Sequence, residues 1–309
     1  MKLVHDLSQM PSLVGTVVTD GMFDGVHLGH QQILQQVARE GKKLGIPSVL
    51  VSYWPHPRHV LSDQEDKLMI LTTLAEKAEL IEKQGIDYML VLPFTKEFSS
   101  QSHISFVQEV LVDGLHTKKL IVGYNHRFGQ NRLGDFTYLQ SAGDHYGFDL
   151  QEISQQEIEE IAISSTKIRY ALQHQLVATA NQFLGRLYSF VGRVEEGDKR
   201  GRTIGYPTAN LILEDANKLV PGDGVYATWA TVEGKRYQSM TNIGFRPTVD
   251  GKSHKIEAHL LDFEGDLYGK EVELEFAAPI REEQKFAGLE ALKQQLGLDR
   301  EIAYKLLND

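Results

Sequence analysis

The feature that most constrains this chain is a change of texture at Gly185. Before it, strand-like and helix-like segments alternate; after it, β-branched and aromatic residues alternate with polar ones between recurrent Gly, Pro and Asn. In the first part, strands are expected at 13–19, 48–53, 88–92, 119–122 and 148–153. Helical spacing of apolar residues covers 31–45, 73–84, 104–111, 135–142, 166–173 and 177–184. That rhythm predicts a Rossmann-like parallel sheet covered by helices, with ligands at the carboxyl ends of its strands. The second part offers strands at 188–195, 224–232, 236–243, 255–262 and 271–276, followed by a helix-rich stretch, 289–307, with a break expected near Gly297. Short strands separated by turn signals predict a barrel or sandwich. An α/β domain over 1–184 and an all-β domain over 185–309 follow, and 309 residues are chain enough for two cores.

The densest chemistry lies in Gly21–His30, GMFDGVHLGH, between the first strand and the first helix. Backbone N–H groups and the helix dipole converge on an anion at such a turn. Gly21, Gly25 and Gly29 permit close approach of a ligand, and His27 and His30 can project from one side of the first helical turn. When a nucleophile attacks the α-phosphorus of a nucleoside triphosphate, charge grows on phosphate oxygens and is met by preorganised donors. H-x-G-H is also the signature of the nucleotidylyltransferase superfamily, to which class I aminoacyl-tRNA synthetases belong. Two alternatives stand beside this reading: surface histidines next to a tight turn, or a zinc site made of Asp24, His27 and His30.

Two later stretches suit the same crevice. Gly123–Asp135, GYNHRFGQNRLGD, places Asn125, His126, Arg127 and Arg132 after a predicted strand, suited to an anionic or heteroaromatic ligand. Ile163–Arg169, ISSTKIR, opens a helix with Ser164 or Ser165 as cap and carries Lys167 and Arg169, whose charges could hold outer phosphates. In the second part, Gly201–Leu211, GRTIGYPTANL, carries Thr208 and Asn210, oxygen donors of the kind Mg²⁺ takes. Nothing in the chain matches G-x-x-x-x-G-K-[ST], so any phosphoryl transfer proceeds without a Walker loop.

Composition narrows the partners. Asp and Glu total 42 against 32 Lys and Arg, a net charge of −10, which argues against general affinity for nucleic acid or an anionic membrane. The absence of cysteine removes disulfides, thiolate zinc sites and cysteine nucleophiles, and fits a reducing cytoplasm. MKLVHDLSQM lacks the apolar core of a signal peptide, and no later run has the length of a membrane span.

Taken together, GMFDGVHLGH, WPHP (Trp54–Pro57), LTTLAEK, GYNHRFG and ISSTKIR resemble the amino-terminal module of the bacterial bifunctional riboflavin kinase/FMN adenylyltransferases. LGRLYSFVGRVEEGDKRGRTIGYPTANL, GVYA, TNIGFRPTV and IEAHLLDFEGDLYG resemble their flavokinase module. The resemblance implies transfer of AMP from ATP to FMN in the first domain. It implies a six-stranded β-barrel with a terminal helix, phosphorylating riboflavin, in the second.

On matching positions it implies ATP contacts at Gly21, Phe23, Asp24, Gly25, His27, Gly29, His30, Ser164, Ser165, Thr166 and Arg169, with His27 and His30 catalytic. Flavin contacts fall at Asn125, Arg127 and Phe128. In the kinase it implies ATP and Mg²⁺ at Gly201, Thr208 and Asn210, and Glu257 as general base, a role for which a neutral hydroxyl nucleophile has use. Two positions depart from the family. Where it often reads D-F-R-F-G this chain has Asn125-His126-Arg127-Phe128-Gly129, without the carboxylate, and Leu187 replaces proline in L-G-R-P-Y.

Overall fold

The computed structural model describes residues 1–62, 68–124, 126–153, 163–196, 205–248 and 251–308, with the backbone only of 245–248 and 251–254. The chain divides into two compact units, Met1–Ser165 and Thr166–Asp309.

The first unit is built on six parallel strands: β1 (Lys2–Val4), β2 (Thr16–Asp20), β3 (Ser48–Trp54), β4 (Tyr88–Pro93), β5 (Thr117–Gly123) and β6 (Asp149–Ile153), in the order β1-β4-β3-β2-β5-β6. Period-two alternation sends neighbouring residues to opposite faces. Val18, Val49, Val51, Leu90 and Leu92 join one core with Phe106, Leu111 and Phe128. Val17, Leu50, Met89 and Val91 join the other, with Ile33, Leu34 and Val37 of helix α1 (Leu28–Leu44) and Ile81 of helix α3 (Leu74–Glu82). Both faces are therefore dry, which is why these strands read as near-continuous apolar runs. The chain moves from β2 out through β3 to β4, then returns to β5 on the other flank of β2. The carboxyl ends of β2 and β5 thus form a topological switch point, where open α/β sheets take ligands. Between the two larger helices lies the short α2 (Pro57–Leu61); α4 (Lys96–Ser99), α5 (His103–Phe106), a π-helical segment (Val107–Gly114) and α6 (Phe136–Tyr146) complete the cover.

In the second unit, antiparallel pairing closes β7 (Tyr188–Glu195), β8 (Ala209–Ile212), β9 (Gly224–Val232), β10 (Lys235–Thr248), β11 (Gly251–Leu260) and β12 (Glu271–Arg281) into a barrel of order β10-β11-β8-β7-β12-β9. Tyr188, Phe190, Tyr226 and Phe276 are fully buried, and a buried hydroxyl group of Thr228, Ser239 and Thr241 satisfies itself at 2.5 and 2.7 Å. Helices α7 (Ser165–Gln173) and α8 (Val177–Leu184) precede the barrel, and the division of the chain groups them with it. Asn181 explains the grouping: its amide donates to the Phe276 carbonyl at 2.9 Å and its oxygen accepts from Tyr188 N at 2.7 Å. The expected domain limit at 184 falls at the end of α8.

The parallel sheet and the closed barrel agree with the expected fold class. Three details differ. Strand β1 pairs three residues with β4, and β8 has only four residues after Pro207, both too short for periodicity to register. Helix α9 (Leu289–Asn308) runs unbroken through Gly297. Tertiary contacts outweigh the roughly 1 kcal/mol cost of a mid-helix glycine: buried Asp299 accepts from Arg281 Nε at 3.0 Å and Nη2 at 2.8 Å, and Ala303 packs on Ala227, Met240 and Leu261.

Candidate active sites

Strand β2 ends on Asp20 and passes the chain to the turn 21–27, after which α1 begins. His27 is the N-cap of α1; its Nδ1 accepts the His30 N–H at 3.3 Å. A neutral ring that accepts at Nδ1 carries its proton on Nε2, so the cap fixes the tautomer and leaves a donor on the other edge. The His27 and His30 rings stack at 3.6 Å and 17°, and Phe23 lies 4.8 Å from His30. Among the described residues, His30 Nδ1 is buried without a hydrogen-bond partner. Burial, then the charges of His27 and Lys77, hold His30 well below the usual histidine range. The turn thus presents a His30 imidazole held unprotonated, stacked on His27, beside the N–H groups of a helix start.

The turn is braced from beneath. Asp24 is buried, and its carboxylate accepts from Leu71 N (3.0 and 3.1 Å), Thr72 N (3.0 Å) and Thr72 Oγ1 (3.2 Å). Gly25, at φ +82°, donates to Thr72 Oγ1 at 3.1 Å, and a Cβ there would meet Leu71 at 2.7 Å. Val26 holds φ +38°, a costly conformation for a β-branched residue, within the turn that leads into α1. Ser165 Oγ donates to the Asp24 carbonyl at 2.9 Å. Lys77, 1% exposed on α3, donates to the Met22 carbonyl at 3.0 Å and to Ser52 Oγ at 3.4 Å, 5.6 Å from the centre of the Trp54 ring. Burial lowers its pKa to about 8, against the opposing pull of Asp24.

On the far side of the switch point, Arg127 Nη1 pairs with Asp135 at 2.7 Å, and Phe128 exchanges backbone hydrogen bonds with Gly134. The Phe128 ring is buried in the core, 5.5 Å from Phe106.

In the barrel, Asn210 of β8 lies in register with Glu257 of β11. Ala209, Leu211, Ile256 and Ala258 are buried, while Asn210, Lys255, Glu257 and His259 share the opposite, half-buried face. This is the outer wall of the barrel. Glu257 Oε1 lies 2.6 Å from Lys255 Nζ, and Asn210 Oδ1 is buried with no hydrogen-bond partner among the described residues. Thr208 is exposed just before β8. His259 fixes that approach: its Nδ1 donates to the Pro207 carbonyl at 2.7 Å, with the Tyr206 ring 5.3 Å away. Burial pulls its pKa down although the Pro207 carbonyl works the other way.

Two family models match the chain, FAD synthetase over residues 9–167 and riboflavin kinase over 184–307. A bifunctional riboflavin kinase/FMN adenylyltransferase of Pseudomonas fluorescens is 40% identical over 302 residues, covering 97% of this chain and 96% of the relative. One of Haemophilus influenzae is 36% identical over 310 residues and spans the whole of both chains. The chain belongs to the bifunctional riboflavin kinase/FMN adenylyltransferase family. A solved structure described as a macrolide-efflux protein of Streptococcus pneumoniae shares the fold, with a TM-score of 0.89 at 28% identity over 98% of each chain. No helix among the described residues is long and apolar enough to cross a membrane.

Against this family, the expected adenylyltransferase residues divide clearly. Gly21, Phe23, Asp24, Gly25, His27, Gly29 and His30 gather on one turn, and Ser165 reaches it. Ser164 immediately precedes α7; Thr166 and Arg169 belong to the second unit. Asn125 and Gly201 lie outside the described residues. The Asp24 carboxylate is committed to the backbone of 71–72. Among the described residues no group of three or more His, Cys, Asp or Glu could hold a metal, so the zinc alternative lacks a donor set. Sequence reasoning passed over Lys77 and Lys255. The signal for Lys77 was a lysine on the apolar stripe of α3, one turn from Ile81 and in line with Leu74.

Proposed function

We propose that the chain converts riboflavin to FMN in its carboxy-terminal domain, 185–309, and FMN to FAD in its amino-terminal domain, 1–184, consuming one ATP in each step. The observation that carries this reading is the match of both family models to one chain that also holds two separately built polar sites. In the kinase, the riboflavin 5′-hydroxyl attacks the γ-phosphorus of ATP and ADP leaves; Glu257 takes the hydroxyl proton. In the adenylyltransferase, a phosphate oxygen of FMN attacks the α-phosphorus and pyrophosphate leaves. That nucleophile is already anionic and needs alignment and charge stabilisation more than a base. His27 Nε2–H, His30 and the start of α1 provide these at the α-phosphate. Ser164, Ser165, Thr166 and Arg169 serve the outer phosphates, and Asn125, Arg127 and Phe128 the flavin.

The Thr208 hydroxyl and Asn210 Oδ1, the latter without a hydrogen-bond partner among the described residues, are hard-oxygen donors of the kind Mg²⁺ takes. When bound, Mg²⁺ neutralises phosphate charge and aligns the triphosphate. Gly201 belongs to the same kinase ATP site. The setting is the cytoplasm, with small molecules as partners rather than nucleic acid or membrane, in line with the net charge and the absence of cysteine.

Incubation with riboflavin, ATP and Mg²⁺, followed by chromatography, tests the assignment. FMN should appear first and FAD after it, and excess EDTA should stop both. A single product would reduce the chain to one activity, and ligand binding without turnover would make it a flavin-binding protein.

A further inference from the structure

One buried polar cluster at the switch point has no part in the chemistry above. Asp20, the last residue of β2, is 6% exposed. Its Oδ2 accepts from the Tyr53 hydroxyl of β3 at 3.1 Å, and its Oδ1 lies 2.9 Å from Nε2 of His126, which follows β5. The carboxylate therefore links the ends of three adjacent strands, β3, β2 and β5. A carboxylate so deeply placed needs a charged or strongly donating partner. Tyr53 supplies a permanent donor, since burial and then Asp20 raise its pKa well above the usual 10.

His126 leads into the segment 126–135, whose shape is set by its own contacts. The His126 ring stacks on Phe128 at 5.5 Å and 21°, Phe128 is bridged to Gly134, and Arg127 is paired with Asp135. Backbone bonds also hold the segment, from His126 N to the Gly123 carbonyl at the end of β5 and from Gln130 N to the Gln101 carbonyl, both at 3.0 Å; its side-chain attachment to the end of β2 is the contact between His126 and Asp20.

We propose that Asp20 and His126 are positioning residues for adenylyl transfer: their ion pair, braced by Tyr53, fastens segment 126–135 to the carboxyl end of β2. The segment's flavin-binding residues are then held in place when His126 carries its proton and loosened when it does not. The proposal rests on the reading that Arg127 and Phe128 meet the flavin. The groups facing His126 are Asp20, Arg132 and Arg127. Burial and the two arginines oppose its protonation, and Asp20 outweighs them, so His126 keeps its proton above the usual histidine pKa. The tether is accordingly complete in mild acid and is lost as pH rises through the folded value. An incoming flavin phosphate would offset the two arginines, so anion binding and protonation of His126 favour each other.

The test measures KM for FMN and for ATP, and kcat, during FAD formation between pH 7 and 9. The flavin phosphate, with its second pKa near 6, stays dianionic throughout that range. In the unaltered chain KM for FMN should rise about fivefold or more across the range, the scale of an ordinary site-to-site coupling, while KM for ATP and kcat hold steady. Asp20→Asn should raise KM for FMN at pH 7 and remove most of its pH dependence. The double variant Asp20→Leu/His126→Phe, which replaces the pair by apolar groups, should recover a low KM with no pH dependence. Thermal unfolding checks that each variant is folded. NMR titration of His126 should shift to lower pH in Asp20→Asn.

An unshifted His126 titration, or a pH-independent KM for FMN in the unaltered chain, overturns the tether. In that case a raised KM for FMN in Arg127→Ala would still leave the flavin assignment standing. If the His126 titration shifts but neither Arg127→Ala nor any tether variant moves KM for FMN, the flavin assignment of the segment fails, and the proposal with it.

Discussion

The two sites solve opposite problems with opposite amounts of burial. At the first, Asp20, Asp24, His27 and Lys77 are all buried, and their partners are mostly backbone atoms of the same turn or its supports. At the second, Asn210, Lys255 and Glu257 stand half-exposed on the outer wall of a barrel, linked by one ion pair and by strand register. A reaction whose nucleophile is already charged gains from donors fixed before the substrate arrives, and fixing them takes a dry, over-determined scaffold. A reaction that must remove a proton gains from a carboxylate that substrate and solvent can reach. Under the proposed assignment, the difference in chemistry accounts for the difference in burial.

The largest effects should come from crossing the two sites. Glu257→Ala should lower riboflavin phosphorylation by about 10²- to 10⁴-fold, the range for a general base, while FAD formation from supplied FMN continues. His30→Ala should do the reverse, costing adenylyl transfer about 10²- to 10³-fold with FMN formation retained. Separate initial-rate assays with riboflavin and with FMN check both. Loss of both reactions in either folded variant would break the division into two sites.

Asp24 separates scaffold from ligand contact at the first site. Because its carboxylate accepts from the backbone of Leu71 and Thr72, Asp24→Ala should leave buried N–H groups unsatisfied, at about 1–3 kcal/mol each. The first unit should melt earlier while phosphorylation of riboflavin by the barrel persists below that transition. If instead KM for ATP rose with thermal stability unchanged, Asp24 would be a nucleotide ligand and the contrast between a buried scaffold and an open site would weaken.

Much of this was legible in the chain. The parallel sheet followed from long apolar runs alternating with helical spacing, and the clustering of Gly21–His30 on one strand-to-helix turn followed from its neighbours. Short alternating strands left a barrel or a sandwich open, and the family resemblance selected the six-stranded barrel. What escaped depends on contacts distant in sequence. Asp24 reads as a ligand in the sequence, where its support of Leu71 and Thr72, 47 and 48 residues away, leaves no trace. His126 reads as one more loop histidine until Asp20 meets it. Strand β8 has too few residues to register a period, and only its pairing with Glu257 gives Asn210 a partner position. Gly297 suggests a break because local propensity carries no knowledge of the Arg281–Asp299 ion pair.

The smallest effect expected is also the sharpest measure of what the buried scaffold costs. Lys77 titrates at about 8 in the folded chain against 10.5 when exposed, so keeping it charged inside the first unit costs about 3 kcal/mol at neutral pH. Between pH 8 and 10.5 the unfolded chain holds a proton that the folded one has lost, so this group makes stability rise with pH across that window and contributes no slope below it. Lys77→Met keeps the volume and removes the charge. Replacing buried ions by apolar groups is often neutral or stabilising, so at pH 7 the variant should melt no lower than the parent, and the alkaline rise should flatten. Its adenylyl transfer should nonetheless fall severalfold, because the Met22 carbonyl loses its brace and the catalytic turn its fixed shape. His30 would also lose one of the charges that hold it unprotonated, so its titration should move to higher pH, and with it the acid limb of kcat/KM for FMN. Unchanged adenylyl transfer in a variant as stable as the parent would mean that the turn holds its geometry without Lys77. The scaffold would then rest on Asp24 and the 71–72 backbone, and the buried ammonium would be dispensable to the first site.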